Sequence, residues 1–287
     1  MTDSLRRFLF DDLDIRGALV QMDAVWRTLI ANRDYPEHVI RLLGEMSATA
    51  LLLADNLKQP GRLSIQSRGS GPVSLLVVDC SEARNIRCMA RYGRNAETSN
   101  PATLLGQGQL ALSLDRPSMR KPYQSIVPLD GKNVAEIFEH YLKQSEQLVS
   151  RFFLAASPSG AAGLFLQKMP AADERDPDGW TRIEALAGTA APGELLGLPA
   201  EELLARLFHE ETVRLFDARP VTHDYPHDWE KVRNMLRTLG REEVYETLSE
   251  NGVIVIRDDL ANHEYRFDKA AIDGLFKDIP PTSKTCH

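Results

Sequence analysis

Cysteine is scarce in this chain of 287 residues: Cys80, Cys88 and Cys286 are the whole complement, and no two stand in a C-x-C or C-x-x-C pair. That scatter supplies neither a thiolate metal cage nor a disulfide framework, so the three read as free thiols. Long apolar runs are missing too. No stretch reaches the roughly 20 uninterrupted apolar residues that a membrane span needs. The start, Met1-Thr-Asp-Ser-Leu-Arg-Arg7, has no apolar run before a small-residue cleavage site. A cytoplasmic location and no membrane partner are expected. Positive charge is in deficit, with a formal net charge of −7 and no dense Lys/Arg run. Nucleic-acid affinity rests on clustered positive charge, so no nucleic-acid partner is expected.

Catalytic signatures are equally thin. Gly69-Ser-Gly71-Pro72 looks like a fragment of a phosphate loop but lacks the following Lys-Ser/Thr, and its place between two strand-like runs predicts a hairpin turn. His209-Glu210-Glu211 has no second histidine four residues after the first, and no G-x-S-x-G nucleophile turn occurs. The chain reads as a non-enzyme with no catalytic residues.

What is present is apolar material in periodic order. Hydrophobic residues make up 43% of the chain, enough for one large core and a smaller one. Pro36 can open a helix, and Val39, Ile40, Leu43, Met46, Ala50 and Leu53 follow near helical spacing, with Leu42, Leu51 and Leu52 widening the stripe until the helix must be buried. Short runs at Leu63–Gln66, Leu75–Val78, Leu110–Leu114 and Ser125–Leu129, set apart by turn residues, predict strands. Lys132–Leu148 returns to helical period, and Arg151–Ala155 with Gly163–Lys168 resume strand character. The fold class expected is α+β: a large N-terminal sheet-and-helix domain over residues 1–171, a helical linker over 172–224 and a small C-terminal α+β module over 225–287.

The break falls at the charged, turn-rich Ala171-Ala-Asp-Glu-Arg-Asp-Pro-Asp-Gly179. Beyond it, Trp180, Ile183, Leu186 and Ala187 define one helical piece. In a second, Pro199 and the acidic pair Glu201-Glu202 suit a helix start while Leu203, Leu204, Leu207 and Phe208 share one face. The last module reads as a helix through Trp229, Val232, Leu236 and Leu239, a helix around Glu242–Leu248, and a hairpin from Val253–Arg257 and Glu264–Phe267. Pro280-Pro281 and the tail are expected to fray.

Arg16-Gly17, Gly69-Ser-Gly71-Pro72, Ser145-Glu-Gln-Leu148, Leu166-Gln-Lys-Met-Pro170 and Leu207-Phe-His-Glu-Glu211 occur in an order and spacing by which the chain resembles the redox-regulated 33-kilodalton heat-shock chaperones. In that family a small C-terminal module holds zinc through four thiolates, a C-x-C pair before a helix and a C-x-x-C pair in a later hairpin, in a closed tetrahedral site. Oxidation to disulfides releases the metal, unfolds the module and exposes apolar linker surface. With Leu236-Arg-Thr-Leu239, Glu243-Val244, Gly252 and Tyr265-Arg-Phe267 as anchors, the four cysteine positions fall on Tyr225, His227, Asp258 and Ala261. None is cysteine, so family zinc is expected to be absent and the thiol switch cannot operate.

What the resemblance implies is an ATP-independent holdase of the stress response that binds unfolded or misfolded clients, as a possible homodimer. Leu195, Leu196, Leu198, Leu203, Leu204, Leu207 and Phe208 are the candidate client-binding residues, since an apolar face able to leave its docking surface binds non-directionally. The bland alternative is a face permanently packed on the large domain. A structural zinc contributes on the order of 10–16 kcal/mol to a small module, and Tyr225, Trp229, Val232, Val253, Ile254, Val255, Ile256, Leu260, Tyr265 and Phe267 are the apolar replacements on offer. Other ligands are a second possibility, from His223, Asp224, His227, Asp228, Asp258, Asp259 and His263, against a plain solvated loop. A non-chaperone scaffold docking one defined partner, and a metal enzyme built on the His/Asp cluster, remain alternative functions. Cys80 and Cys88 flank a turn-like Ser81–Ile86 and could face one another, as inert buried thiols or as a redox pair.

Overall fold

The computed structural model describes residues 3–57, 61–93, 98, 100–116, 118–145 and 147–277; Cys286 and the Pro280-Pro281 tail lie outside them. In chain order it runs β1 (Ser4–Phe10), β2 (Ile15–Met22), α1 (Ala24–Ile30), α2 (Glu37–Asp55), β3 (Arg62–Arg68), β4 (Val73–Cys80), β5 (Ile86–Tyr92), α3 (Pro101–Leu105), β6 (Gln109–Asp115), β7 (Tyr123–Val127), α4 (Val134–Ser145), β8 (Ser150–Ser157) and β9 (Gly160–Lys168). There follow α5 (Ala172–Arg175), α6 (Gly179–Ala187), α7 (Pro192–Gly197), α8 (Ala200–Leu207), β10 (Val213–Leu215) and β11 (Arg219–Pro220). The chain divides between Asp224 and Tyr225, and the second unit holds α9 (Trp229–Leu239), α10 (Arg241–Asn251), β12 (Ile254–Asp258), β13 (His263–Phe267) and α11 (Lys269–Leu275). The α+β class read from the sequence is the class found.

Helix α2 explains the first unit. Its run Val39-Ile-Arg-Leu-Leu-Gly-Glu-Met46 onward is apolar around most of its circumference, and such a helix is stable only with partners on several sides. Two antiparallel sheets supply them. One runs β10-β1-β2-β9-β8, with β11 also on β1, and the other runs β5-β4-β3-β6-β7. Residues of α2, α4 and both sheets merge into one core that includes Leu5, Trp26, Leu43, Met46, Ile65, Val78, Phe138 and Phe165. Gly69-Ser-Gly71-Pro72 is the β3–β4 turn, where a Cβ on Gly71 would fall 2.4 Å from the Leu104 carbonyl, so backbone approaches backbone. It is a packing turn.

Segment 172–224 was expected to be helical, and its helices α5–α8 are followed by two short strands that extend the first sheet. Val213–Leu215 pairs with Phe8–Phe10, and Arg219 and Pro220 pair with Leu5 and Ser4. The exposed edge of β1 draws them in, because unpaired N–H and C=O groups there need partners. Cys80 and Cys88 do not face one another: Cys80 lies across from Ile86 and Cys88 across from Val78, a diagonal offset on one face. Both are free thiols buried in the core, and burial pushes them up to about 12 and about 11. That is the character of inert cysteines.

The second unit closes its own small core from Val232, Leu236, Val244, Leu248, Ile254, Tyr265, Phe267, Ile272, Leu275 and Phe276. Two residues expected inside are turned out, Trp229 at 39% and Val255 at 43% exposure. Val255 alternates with inward Ile254 and Ile256 and so falls on the opposite, exposed face of the strand. Helix α11, unforeseen from the sequence, supplies Ile272 and Leu275 instead, and Asp268 caps it by accepting from the Ala271 N–H at 2.8 Å. Among the described residues no helix is long and apolar enough to cross a membrane.

Candidate functional site

The outer face of the first sheet is a second apolar surface. Phe8, Phe10, Ile15, Leu19, Ala162, Leu164 and Leu166 point away from α2, toward the helices that follow β9. Phe8 lies across from Gly17, where an added Cβ would come within 2.1 Å of its ring. Glycine is therefore the residue that lets this ring lie flat over β2. Phe10 meets Phe208 edge-on at 4.9 Å between ring centroids, and Phe8 approaches it at 6.3 Å.

Onto this face dock α6, α7 and α8. The acidic pair Glu201-Glu202 in the first turn of α8 and Arg206 in the last complement the helix dipole, and 3.6-residue spacing brings Leu203, Leu204 and Leu207 to one side. Leu195, Leu203, Leu204, Leu207 and Phe208 are all buried against the sheet, while Leu196 and Leu198 are partly buried at the margin. All seven candidate client-binding residues are thus brought together, and all are docked in this conformation. Each fully buried side chain of this size contributes about 1.5–3 kcal/mol by leaving water.

Polar anchors frame the apolar contact. The Gln21 amide on β2 donates to the carbonyls of Leu195 at 2.9 Å and Leu198 at 2.8 Å, which are unbonded at the end of α7. Arg182 on α6 binds Glu211 at 2.6 Å and Asp176 at 3.0 Å. Arg151 on β8 joins Glu184 of α6 at 2.5 Å and Glu139 of α4 at 3.2 Å, Arg206 pairs with Glu194 at 3.0 Å, and Arg6 pairs with Glu201. Sequence reasoning missed Gln21. Its signal was an amide inside the otherwise apolar strand run Ala18-Leu-Val-Gln-Met22.

The four cysteine-equivalent positions lie in the second unit, and their donors do not suit a zinc cage. Ala261 offers a buried methyl group, and the Asp258 carboxylate is turned onto its own loop, accepting from Leu260 N–H at 3.0 Å and Ala261 N–H at 3.1 Å. Asp228 is likewise taken up as the cap of α9, accepting from Lys231 N–H at 2.9 Å. His223 and Asp224 belong to the first unit, where the His223 ring bonds the Ile86 carbonyl at 2.8 Å and the Asp224 backbone pairs with the Asn85 side chain. Among the described residues no group of three or more His, Cys, Asp or Glu is arranged to hold a metal ion.

Rings gather at this place instead. His227 stacks on His263 with centroids 3.9 Å apart and planes 9° from parallel, Trp229 meets Tyr265 edge-on at 4.9 Å, and the Tyr265 hydroxyl accepts from Asp228 N–H at 2.9 Å. These contacts join the entry to α9 with the β12–β13 hairpin, the same two segments that carry the cysteine-equivalent positions.

The Hsp33 protein family profile matches residues 3–268. The chain is 40% identical to a 33 kDa chaperonin of Methylobacillus flagellatus over 96% of this chain and 95% of the relative. It is 39% identical to a 33 kDa chaperonin of Nitrosococcus oceani over 99% of each. The crystal structure of a 33 kDa chaperonin from Thermotoga maritima matches the fold with a TM-score of 0.71 at 20% identity, covering 96% of this chain and 98% of that one. The chain belongs to the Hsp33 family and is a chaperone that binds unfolded proteins.

Proposed function

We propose that this chaperone is an ATP-independent holdase whose client surface is the apolar interface between α7–α8 and the outer face of the first sheet, opened by heat rather than by thiol oxidation. The observation that carries the reading is the docking of Leu195, Leu203, Leu204, Leu207 and Phe208 on Phe8 and Phe10 through an interface framed by few polar anchors. A segment held this way leaves in one step, and both surfaces it uncovers are hydrophobic. Cys80 and Cys88, the cysteines among the described residues, take no part in that step, because they are sunk in the other core. Association of two copies would enlarge the apolar area offered to a client.

The test is aggregation of several unrelated heat-denaturing enzymes, followed by light scattering with and without the chaperone. Suppression should be the same with peroxide, with a zinc chelator, or with neither, and should rise with temperature. A large gain on adding peroxide contradicts the reading. Suppression of a single protein at fixed stoichiometry would favour a scaffold with one partner.

A further inference from the structure

Arginines crowd one carboxylate where the C-terminal end of α2 meets β1, β2 and β11. Asp55, buried at the end of α2, takes Arg7 on one carboxylate oxygen at 2.5 Å and Arg219 on the other at 2.7 Å, and Arg7 also donates to the Asp55 carbonyl. Arg84 reaches the same place from the β4–β5 turn, with its Nε 3.2 Å from the Pro220 carbonyl. Its backbone sits at a φ of 60°, a conformation L residues rarely adopt, steadied by the Thr222 N–H on the Arg84 carbonyl at 3.1 Å. Arg16 comes from β2, bonded through Nε to the buried Gln167 amide oxygen at 2.6 Å.

Two guanidinium groups thus bond one carboxylate directly, Arg16 lies across from Leu9, two residues along β1 from Arg7, and Arg84 reaches the strand that carries Arg219, in a chain whose net charge is −7. The partial negative charge at the end of α2 offsets only a fraction of the excess. Burial, then repulsion from Arg7, lowers the pKa of Arg16; Arg219 is lowered by burial and by Arg7 and Arg84, with Asp55 opposing in both cases. Arg7 and Arg219 remain 44% and 34% exposed, open to a further acceptor. Planar guanidinium donors arriving from four separate strands and turns suit an anion that carries more than one charge and accepts on several oxygens.

We propose that Arg7, Arg16, Arg84 and Arg219 form a binding site for a phosphate-type oxyanion, which joins β11 and the β4–β5 turn to β1 and β2. The anion comes either as free phosphate or as the phosphate chain of a nucleotide. The full chain should be titrated with inorganic phosphate, pyrophosphate and ATP by calorimetry, and melted in phosphate against chloride at equal ionic strength. Saturable binding and a higher melting midpoint in phosphate are expected, with Kd about tenfold or more weaker in Arg84→Gln and in Arg16→Gln and unchanged in Arg233→Gln of the second unit. Arg84→Gln breaks only a bond to an exposed carbonyl and leaves Asp55 paired, so its fold should survive. Tighter binding of ATP than of pyrophosphate assigns the anion to a nucleotide, and equal binding assigns it to the free anion. Equal midpoints in phosphate and chloride, or a Kd unmoved in both site variants, overturns the proposal.

Discussion

Replacing Gln21 by leucine separates the hold on the α7–α8 segment from the apolar face it conceals. The side chain keeps nearly its volume, and every residue from Leu195 to Phe208 is untouched, but the carbonyls of Leu195 and Leu198 lose their donor. A buried acceptor stripped of its partner costs about 1–3 kcal/mol. The Leu195 bond is buried and the Leu198 bond only partly so, which places the total near 2–4 kcal/mol. At about 1.4 kcal/mol per decade, opening of the segment should become about 30-fold to several hundred-fold more frequent. Hydrogen exchange reads this directly. Protection should fall over residues 192–208 and stay intact in α2, and client aggregation should be suppressed at a lower temperature than with the parent chain. Exchange that rises equally in α2, or a loosened segment with no gain in suppression, would refute the link between docking and client binding.

Three further outcomes follow from the same structure. In a Cys286→Ser variant, Cys80 and Cys88 should resist a thiol reagent at pH 8 until the fold is lost, because burial holds them at about 12 and about 11; rapid native labelling would contradict that. Tyr265→Phe removes the hydroxyl that accepts from Asp228 N–H and should destabilise the second unit by about 0.5–1.5 kcal/mol, lowering its melting midpoint by about 2–12 °C without altering zinc content; an unchanged midpoint would remove that bond from the account. Burial raises Glu45 to about 7, so the folded state holds a proton there that the unfolded chain releases above its ordinary 4.5. Its contribution is present below pH 4.5 and lost as pH rises through 7, an effect of about 3 kcal/mol that Glu45→Gln should abolish, making the variant the more stable form at pH 8 in thermal melts; an equally pH-dependent variant would contradict the assignment.

Much of this architecture was legible because strong periodicity survives tertiary packing. The α2 stripe, the Gly69–Pro72 turn, the alternating Leu63–Gln66 and Leu110–Leu114 runs and the single apolar face of α8 are each decided by their own residues. Strands β1 and β2 were not read. Helices cover both faces of these strands, so their sequences, Ser4-Leu-Arg-Arg-Phe-Leu-Phe10 and Ile15-Arg-Gly-Ala-Leu-Val-Gln-Met22, lack a clean polar alternation. Helix α11 was missed because seven residues containing Gly274 make a weak helix alone, and it forms by capping at Asp268 and packing on the hairpin. The seven candidate residues could be grouped from helical spacing, but their docking surface could not. It depends on Phe8 and Phe10, nearly 200 residues away in sequence. His227 and His263 could be grouped as possible ligands through the resemblance, but their stacking could not be read, because ring orientation depends on how the hairpin meets the entry to α9.

The most direct test is hydrogen exchange over Leu203–Phe208 across a temperature ramp, with and without a denaturing client and with and without peroxide. Protection there should be lost below the melting of α2, at the temperature where client aggregation is first suppressed; bound client should restore it, and peroxide should shift neither temperature. Clients held while Leu203–Phe208 stays protected up to global melting would contradict that expectation.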